Sequence, residues 1–167
     1  MKQEQYEKCT EFFRQPGGKS FLMFVLSRLI PTIVANIYII LLILALLASP
    51  VYLLRFAGVP LIAFLIVTIL RKVINKKRPY EVYDFHPIAY KKLKPGQSFP
   101  SRHAASAFVI AVACLSMNTV LGVIMVILAV IVSASRVLSG MHFISDVVGG
   151  MIIGVIVGLI GFYSLIF

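Results

Sequence analysis

Three stretches of this 167-residue chain carry no charged side chain at all: residues 29–54, 104–135 and 147–167. About 20 consecutive apolar residues in helical form cross the ~30 Å hydrocarbon core of a bilayer. Each stretch reaches or exceeds that length, so the chain cannot leave them in water. Composition points the same way. Hydrophobic side chains make up 60% of the sequence and charged ones 13%, against ~45–50% and ~25% in ordinary soluble domains. The expectation is an all-α integral membrane bundle.

Breakers divide the chain. Residues 20–30 (SFLMFVLSRLI) set Arg28 among aromatic and aliphatic residues, after Pro16-Gly17-Gly18 and before Pro31. They read as a helix lying on one leaflet. Residues 1–30 are then an N-terminal interfacial segment, and 31–167 a membrane-embedded domain. The first span runs over 31–48 and the second over 51–70, separated by Ser49-Pro50, with Arg55 snorkelling to the surface. A long polar loop covers 71–100. A third span starts at Ser101, a fourth near Thr119 and a fifth near Phe143, giving five spans, of which the third and fourth are short. The first nineteen residues lack an apolar signal-peptide core. Cys9 and Cys114 are too few for a disulfide framework and read as inert thiols.

Counting crossings gathers the N-terminus, the 71–100 loop, the start of the third span and the junction at 136–142 on one face. The charge gathers there too. Of the sixteen Lys and Arg residues behind the net charge of +10, eight lie within Arg71–Lys94, opposed only by Glu81 and Asp84. A basic segment flanking spans suits anionic headgroups or a phosphorylated ligand. Nucleic acid is set aside, because no nucleic-acid motif accompanies the charge.

Three clusters on that face carry residues able to do chemistry. In SRVLSGMHFISD (135–146), His142 and Asp146 are four apart. On one helical face the carboxylate would fix the imidazole tautomer and leave the other nitrogen to attack or to shuttle a proton. A histidine at a span end can also simply snorkel. In FPSRHAAS (99–106), Ser101 is placed as a helix N-cap, where free N–H groups and the helix dipole bind anions. It reads as cap, phosphate ligand, or both, with His103 one turn in as a proton donor or an interfacial hydrogen-bonder. In RKVINKKRP (71–79), Arg71 and Arg78 suit a bidentate grip on phosphate. Lys72, Lys76, Lys77, Lys91, Lys92 and Lys94 read as a solvated cationic surface. Glu81, Asp84 and His86 read as loop residues that order around substrate rather than as a metal site.

Together the clusters resemble the three signature motifs of the type 2 phosphatidic acid phosphatase (PAP2) superfamily of membrane lipid phosphatases. The first motif is lysine, six residues, Arg-Pro; here Arg71 stands in the lysine position before Arg78-Pro79, with Lys72 as the alternative cation. The second, Pro-Ser-x-His, is matched by Pro100, Ser101, Arg102 and His103. Arg102 replaces a common glycine, either adding a cation or pointing away. The third is matched in full by Ser135, Arg136, His142 and Asp146. The resemblance implies a phosphohistidine route, with His142 as nucleophile, Asp146 holding its ring and His103 protonating the leaving oxygen. Arg71, Arg78, Arg136 and Ser101 would bind phosphate oxygens, with no metal or other cofactor. It implies a lipid phosphate or diphosphate substrate: undecaprenyl diphosphate first, phosphatidylglycerophosphate or phosphatidic acid as alternatives. The positive-inside rule would put the basic face in the cytoplasm. Bacterial members of the family usually present the site outside, and we favour that side. A non-enzymatic membrane protein recruiting anionic lipid or a partner through its basic loop is the competing reading.

Gly150, Gly154 and Gly158 form a small-residue face on the last span. It serves packing within the chain, or a homodimer.

Overall fold

The structure is a computed structural model and describes residues 1–88 and 95–164. Lys91, Lys92 and Lys94 lie outside the described residues. The described residues are helical where ordered into elements, and the all-α expectation holds.

Helix α1 (Gln3–Arg14) is amphipathic: Tyr6 and Thr10, four apart, are buried while Gln3, Glu4, Lys8 and Glu11 are exposed. The next helix, α2 (Gly18–Ala48), differs from the sequence expectation. Residues 20–30 are not a separate surface helix but the first turns of one continuous rod. Proline inside a helix normally removes a hydrogen bond and clashes with the preceding turn. Here the turn ahead of Pro31, Val25–Leu29, is π-helical, and Ile30 N–H bonds the Val25 carbonyl five residues back. That wider turn lets the chain pass Pro31 without breaking.

Helix α3 (Pro50–Ile74) starts on a Ser49 cap, whose hydroxyl accepts from Val51 N–H, and stops where Asn75 turns left-handed. It outruns the expected span and so carries Arg71 and Lys72 on its last turn rather than in the loop. A single turn, α4 (Pro79–Val82), follows. Then come α5 (Arg102–Met117), α6 (Thr119–Leu138) and α7 (Ile144–Tyr163). Among the described residues, α2, α3, α6 and α7 are long and apolar enough to cross a membrane. Helix α5 has 16 residues, about 24 Å at 1.5 Å per residue. It is the central post of the bundle: Ala104, Ala105 and the whole run Ala107–Cys114 are buried.

The glycine face of α7 is used inside the chain. A Cβ on Gly154 would sit 2.4 Å from the Ala105 carbonyl oxygen, and one on Gly150 equally close to the Ser101 carbonyl oxygen. On Gly158 it would meet the Val112 side chain at 2.8 Å. The backbones of α5 and α7 therefore touch, and this face is not free for a second copy. Arg55 also departs from expectation. Its Nε and Nη2 donate to the carbonyls of Gly161 and Phe162 at 2.8 and 2.9 Å. It does not snorkel but satisfies acceptors left over at the end of α7.

Gly154→Leu should lower the thermal unfolding midpoint of the detergent-solubilised protein, at a cost on the order of 1–3 kcal/mol or more for overpacking. An unchanged midpoint would show that α5 and α7 are not in backbone contact.

Candidate active site

The close approach of α5 and α7 decides where the chemistry-bearing residues stand. At its upper end Ser101 N–H donates to the Asp146 carbonyl at 2.8 Å, locking the start of α5 to the first turn of α7. Between α6 and α7 the chain reverses at Gly140, whose φ of +73° favours glycine. A Cβ there would also lie 2.4 Å from the Phe85 ring. The reversal brings the N–H groups of Met141 and His142 onto the Arg136 carbonyl at 3.1 and 3.2 Å. His142 is thereby aimed inward and is 4% exposed.

Asp146 is fully buried, and its carboxylate is the most heavily bonded group of the site. Oδ2 accepts from the Ser98 hydroxyl at 2.5 Å and from Phe143 N–H at 2.9 Å, and Oδ1 from Lys76 Nζ at 2.7 Å. The expected His142–Asp146 pair is present as neighbours, but Nδ1 stands 3.7 Å from Oδ2, beyond hydrogen-bond distance. Ser98 Oγ lies 3.4 Å from the same Nδ1. The hydroxyl thus bridges the ring and the carboxylate. Burial, with Arg78 and Arg71 nearby, holds the His142 pKa below the ordinary histidine value against the opposing pull of Asp146. The ring is neutral at neutral pH, with its lone pair available.

Two of these partners were not legible as site residues. Lys76 reads in sequence as one more solvated lysine; instead it is half withdrawn, pairs with Asp146 and lies 4.7 Å from the Phe143 ring centroid. Ser98 has no local signal, because its role exists only once the loop folds onto α7. A third, Tyr6, was available in principle from the apolar stripe of α1. It is fully buried, stacks on Phe85 at 5.3 Å between centroids, and donates to the His142 carbonyl at 3.3 Å. Burial pushes its hydroxyl up to about 12, so it remains a donor.

The arginines converge as expected, each holding backbone carbonyls. Arg71, 3% exposed, donates from Nη1 to Pro100 at 3.0 Å and Ser98 at 3.4 Å, while its buried Nε has no partner among the described residues. Arg78 bonds Gly96 at 3.0 Å and Met141 at 3.4 Å. An Arg136 Nη donates to the Ser27 carbonyl on the π-helical turn of α2. Lys72 is exposed, whereas its neighbour Arg71 is buried. Ser101 is fully buried, and its hydroxyl caps α5 by accepting from Ala104 N–H. Glu81 accepts from the N–H groups of Arg78 and Gly96, each at 2.8 Å, which makes it a loop fastener. His86 and Asp84 are exposed, and their carbonyls accept from Arg14 and Gln3 of α1.

His103 stands at the head of a groove of about 330 Å³ that runs toward the membrane interior. Arg102 and His103 occupy one end, and Val34, Phe64, Ala107 and Ile110 line the rest, so α2 and α3 form walls above α5. Arg136, His142, Arg102 and Arg71 all lie within electrostatic reach of His103. An apolar groove with Arg102 and His103 at one end, and His142, Arg136 and Arg71 in electrostatic reach of that histidine, suits an anion that carries a hydrocarbon tail.

This fold and this set of clusters define a known class: the chain belongs to the PAP2 superfamily, whose family model matches residues 52–166. Among curated relatives, it is 30% identical over 108 residues to undecaprenyl-diphosphatase BcrC of Bacillus subtilis, covering 64% of this chain and 55% of that protein. It is 35% identical over 101 residues to decaprenylphosphoryl-5-phosphoribose phosphatase of Mycobacterium tuberculosis, covering 59% and 53%. The chain thus spans about half the length of the curated relatives it matches. Of solved structures, Aquifex aeolicus LpxE superposes with a TM-score of 0.76 at 22% identity, over 96% of this chain and 94% of that one. A transmembrane PAP2-type phosphatidylglycerolphosphate phosphatase from Bacillus subtilis gives 0.63 at 24% identity, over 95% and 83%. These two likenesses bear on the fold.

Lys76→Met should destabilise the folded protein by about 1–3 kcal/mol. That is below the 3–5 kcal/mol of a fully buried pair because the lysine is partly solvated. Thermal unfolding of the purified variant measures it, and a shift indistinguishable from that of Lys77→Met would remove Lys76 from the site.

Proposed function

We propose that the protein is a membrane lipid phosphatase that removes the terminal phosphate of a lipid phosphate or diphosphate through a phosphohistidine intermediate. The observation that carries this reading is buried His142 within electrostatic reach of Arg71 and Arg78, and of His103, which with Arg136 also in reach stands at one end of an apolar groove. The undecaprenyl diphosphate-to-monophosphate reaction fits best, supported by the relation to a diphosphatase of that lipid. Phosphatidylglycerophosphate and phosphatidic acid are the alternative substrates.

In the reaction, the tail lies along the groove and the terminal phosphate sits under the guanidinium groups. His142 attacks phosphorus through Nε2, its Nδ1–H held toward Ser98 and Asp146. As the N–P bond forms, the bond to the leaving oxygen breaks, and His103 delivers a proton to that oxygen. The dephosphorylated lipid product departs. His103 then takes a proton from water, whose oxygen attacks phosphorus and releases inorganic phosphate and free His142. Guanidinium groups neutralise the equatorial oxygens throughout, as preorganised cations do in phosphoryl transfer. Hydrolysis therefore needs no added metal.

His142→Ala in detergent micelles should lose at least 1000-fold in phosphate release from farnesyl diphosphate or phosphatidic acid, while chelator leaves the unmodified protein active. Release at the unmodified rate by His142→Ala would favour the non-enzymatic lipid-recruiting reading. Dependence on added metal would remove the guanidinium mechanism.

We also place this face outside the cytoplasm, where a lipid diphosphate would meet the basic rim. A cysteine introduced at Ile88, in a Cys9→Ser background, should react with a membrane-impermeant maleimide in intact cells. Labelling only after lysis would reverse the orientation.

A further inference from the structure

We propose that Arg102 forms a second phosphate subsite, one that reads the α-phosphate of a lipid diphosphate and so selects diphosphates over monophosphates. This inference rests on the phosphatase reading and adds to it a residue that determines the choice between diphosphate and monophosphate.

The argument is one of position along the substrate. If His103 protonates the oxygen that leaves, everything beyond that oxygen lies on the groove side of His103. Arg102 is its neighbour on the first turn of α5 and shares the head of the same groove. Its guanidinium carbon lies 5.9 Å from the Phe64 ring centroid, which leans the side chain over the groove wall formed by α3. It is also exposed there, unlike buried Arg71, and it lies within electrostatic reach of both Arg71 and His103. The other three arginines are absent from the groove lining and each is tied to backbone carbonyls, with Arg71 and Arg78 in electrostatic reach of His142.

A monophosphate lipid puts a carbon chain or glycerol at the groove head, and an exposed guanidinium there gains nothing from it. A diphosphate lipid puts two charged oxygens at that point. The bond cleaved in that case is the one between the β-phosphorus and the bridging oxygen. The electron pair goes to the bridging oxygen with the His103 proton, and the leaving group is a lipid monophosphate. Charge builds on that α-phosphate as the bridge breaks, so a cation beside it favours the transition state more than the ground state.

The test compares geranylgeranyl diphosphate with geranylgeranyl monophosphate as substrates for the full chain in micelles. The unmodified protein should prefer the diphosphate in kcat/KM. Arg102→Ala should cut the diphosphate-to-monophosphate ratio roughly 10–100-fold, the scale of a lost charge-assisted contact, and Arg102→Lys should restore part of it. A second arm removes catalysis. In a His142→Ala background, Arg102→Ala should abolish the preference for geranylgeranyl methylenediphosphonate over geranylgeranyl phosphonate in binding. A ratio and a binding preference that survive Arg102→Ala, or a parent protein with no preference, overturn the subsite. Absence of hydrolysis of both substrates, with the binding preference intact and dependent on Arg102, would instead remove the phosphatase reading and leave the subsite.

Discussion

One buried carboxylate organises this site. An ion held away from water is tolerated only when its lone pairs are met by donors and a counter-charge. Asp146 therefore needs what surrounds it: Lys76, Ser98 and Phe143 N–H on its oxygens, while its main-chain carbonyl takes Ser101 N–H. Those partners come from the loop after α3, the approach to α5 and the start of α7. Satisfying one side chain thus draws three separate sequence clusters together. Ser98 N–H in turn donates to the Lys76 carbonyl at 2.8 Å, so the two loop partners of the carboxylate also brace each other. The glycine contact of α7 with α5 makes this possible, since a larger residue at Gly150 or Gly154 would push Asp146 away from Ser101.

The bundle was legible because bilayer physics writes itself into sequence as long charge-free runs, and the candidate pair of His142 and Asp146 because the two stand four residues apart. What escaped was of two kinds. Residues whose role is made only by long-range contact carry no local mark: Ser98 resembles any loop serine, and Lys76 any of its neighbouring lysines. Local rules also have exceptions that tertiary context selects. Pro31 reads as a helix end, yet a π-helical turn carries the helix through it. Arg55 reads as a snorkelling side chain, yet the leftover carbonyls at the end of α7 lie within its reach. In both cases a partner more than a hundred residues away takes up the local group, Arg136 the Ser27 carbonyl ahead of Pro31 and the Gly161 carbonyl the Arg55 guanidinium.

The cations pose a physical problem that the structure solves in a particular way. Arg71, Arg78, Arg102 and Arg136 repel one another, and pairing each with a carboxylate would relieve that. The described carboxylates near them are few, and Asp146 is committed to Lys76, Ser98 and Phe143 N–H. Carbonyl oxygens hold the guanidinium groups instead: Pro100 and Ser98 for Arg71, Gly96 and Met141 for Arg78, Ser27 for Arg136. A carbonyl fixes the geometry of a guanidinium without cancelling its charge. The site is thus rigid and still strongly positive, a combination suited to stabilising a phosphoryl group at little reorganisation cost.

Arg136 shows how a local irregularity can serve that end. In an unbroken α-helix the Ser27 carbonyl would accept from the N–H four residues on, but that residue is Pro31, which has none. The π-helical turn shifts the preceding bonds and keeps the rod continuous, so the carbonyl of buried Ser27 is presented sideways, toward α6, rather than along its own helix. Arg136, on the last turn of α6, donates to it. A proline that freed a carbonyl on the exposed face of α2 would leave it toward lipid, where nothing could satisfy it. At position 31 the freed group falls beside the end of α6, where Arg136 supplies a guanidinium. The proline that looks like a boundary in the sequence is, in the fold, what lets the first membrane helix hold a cation of the site.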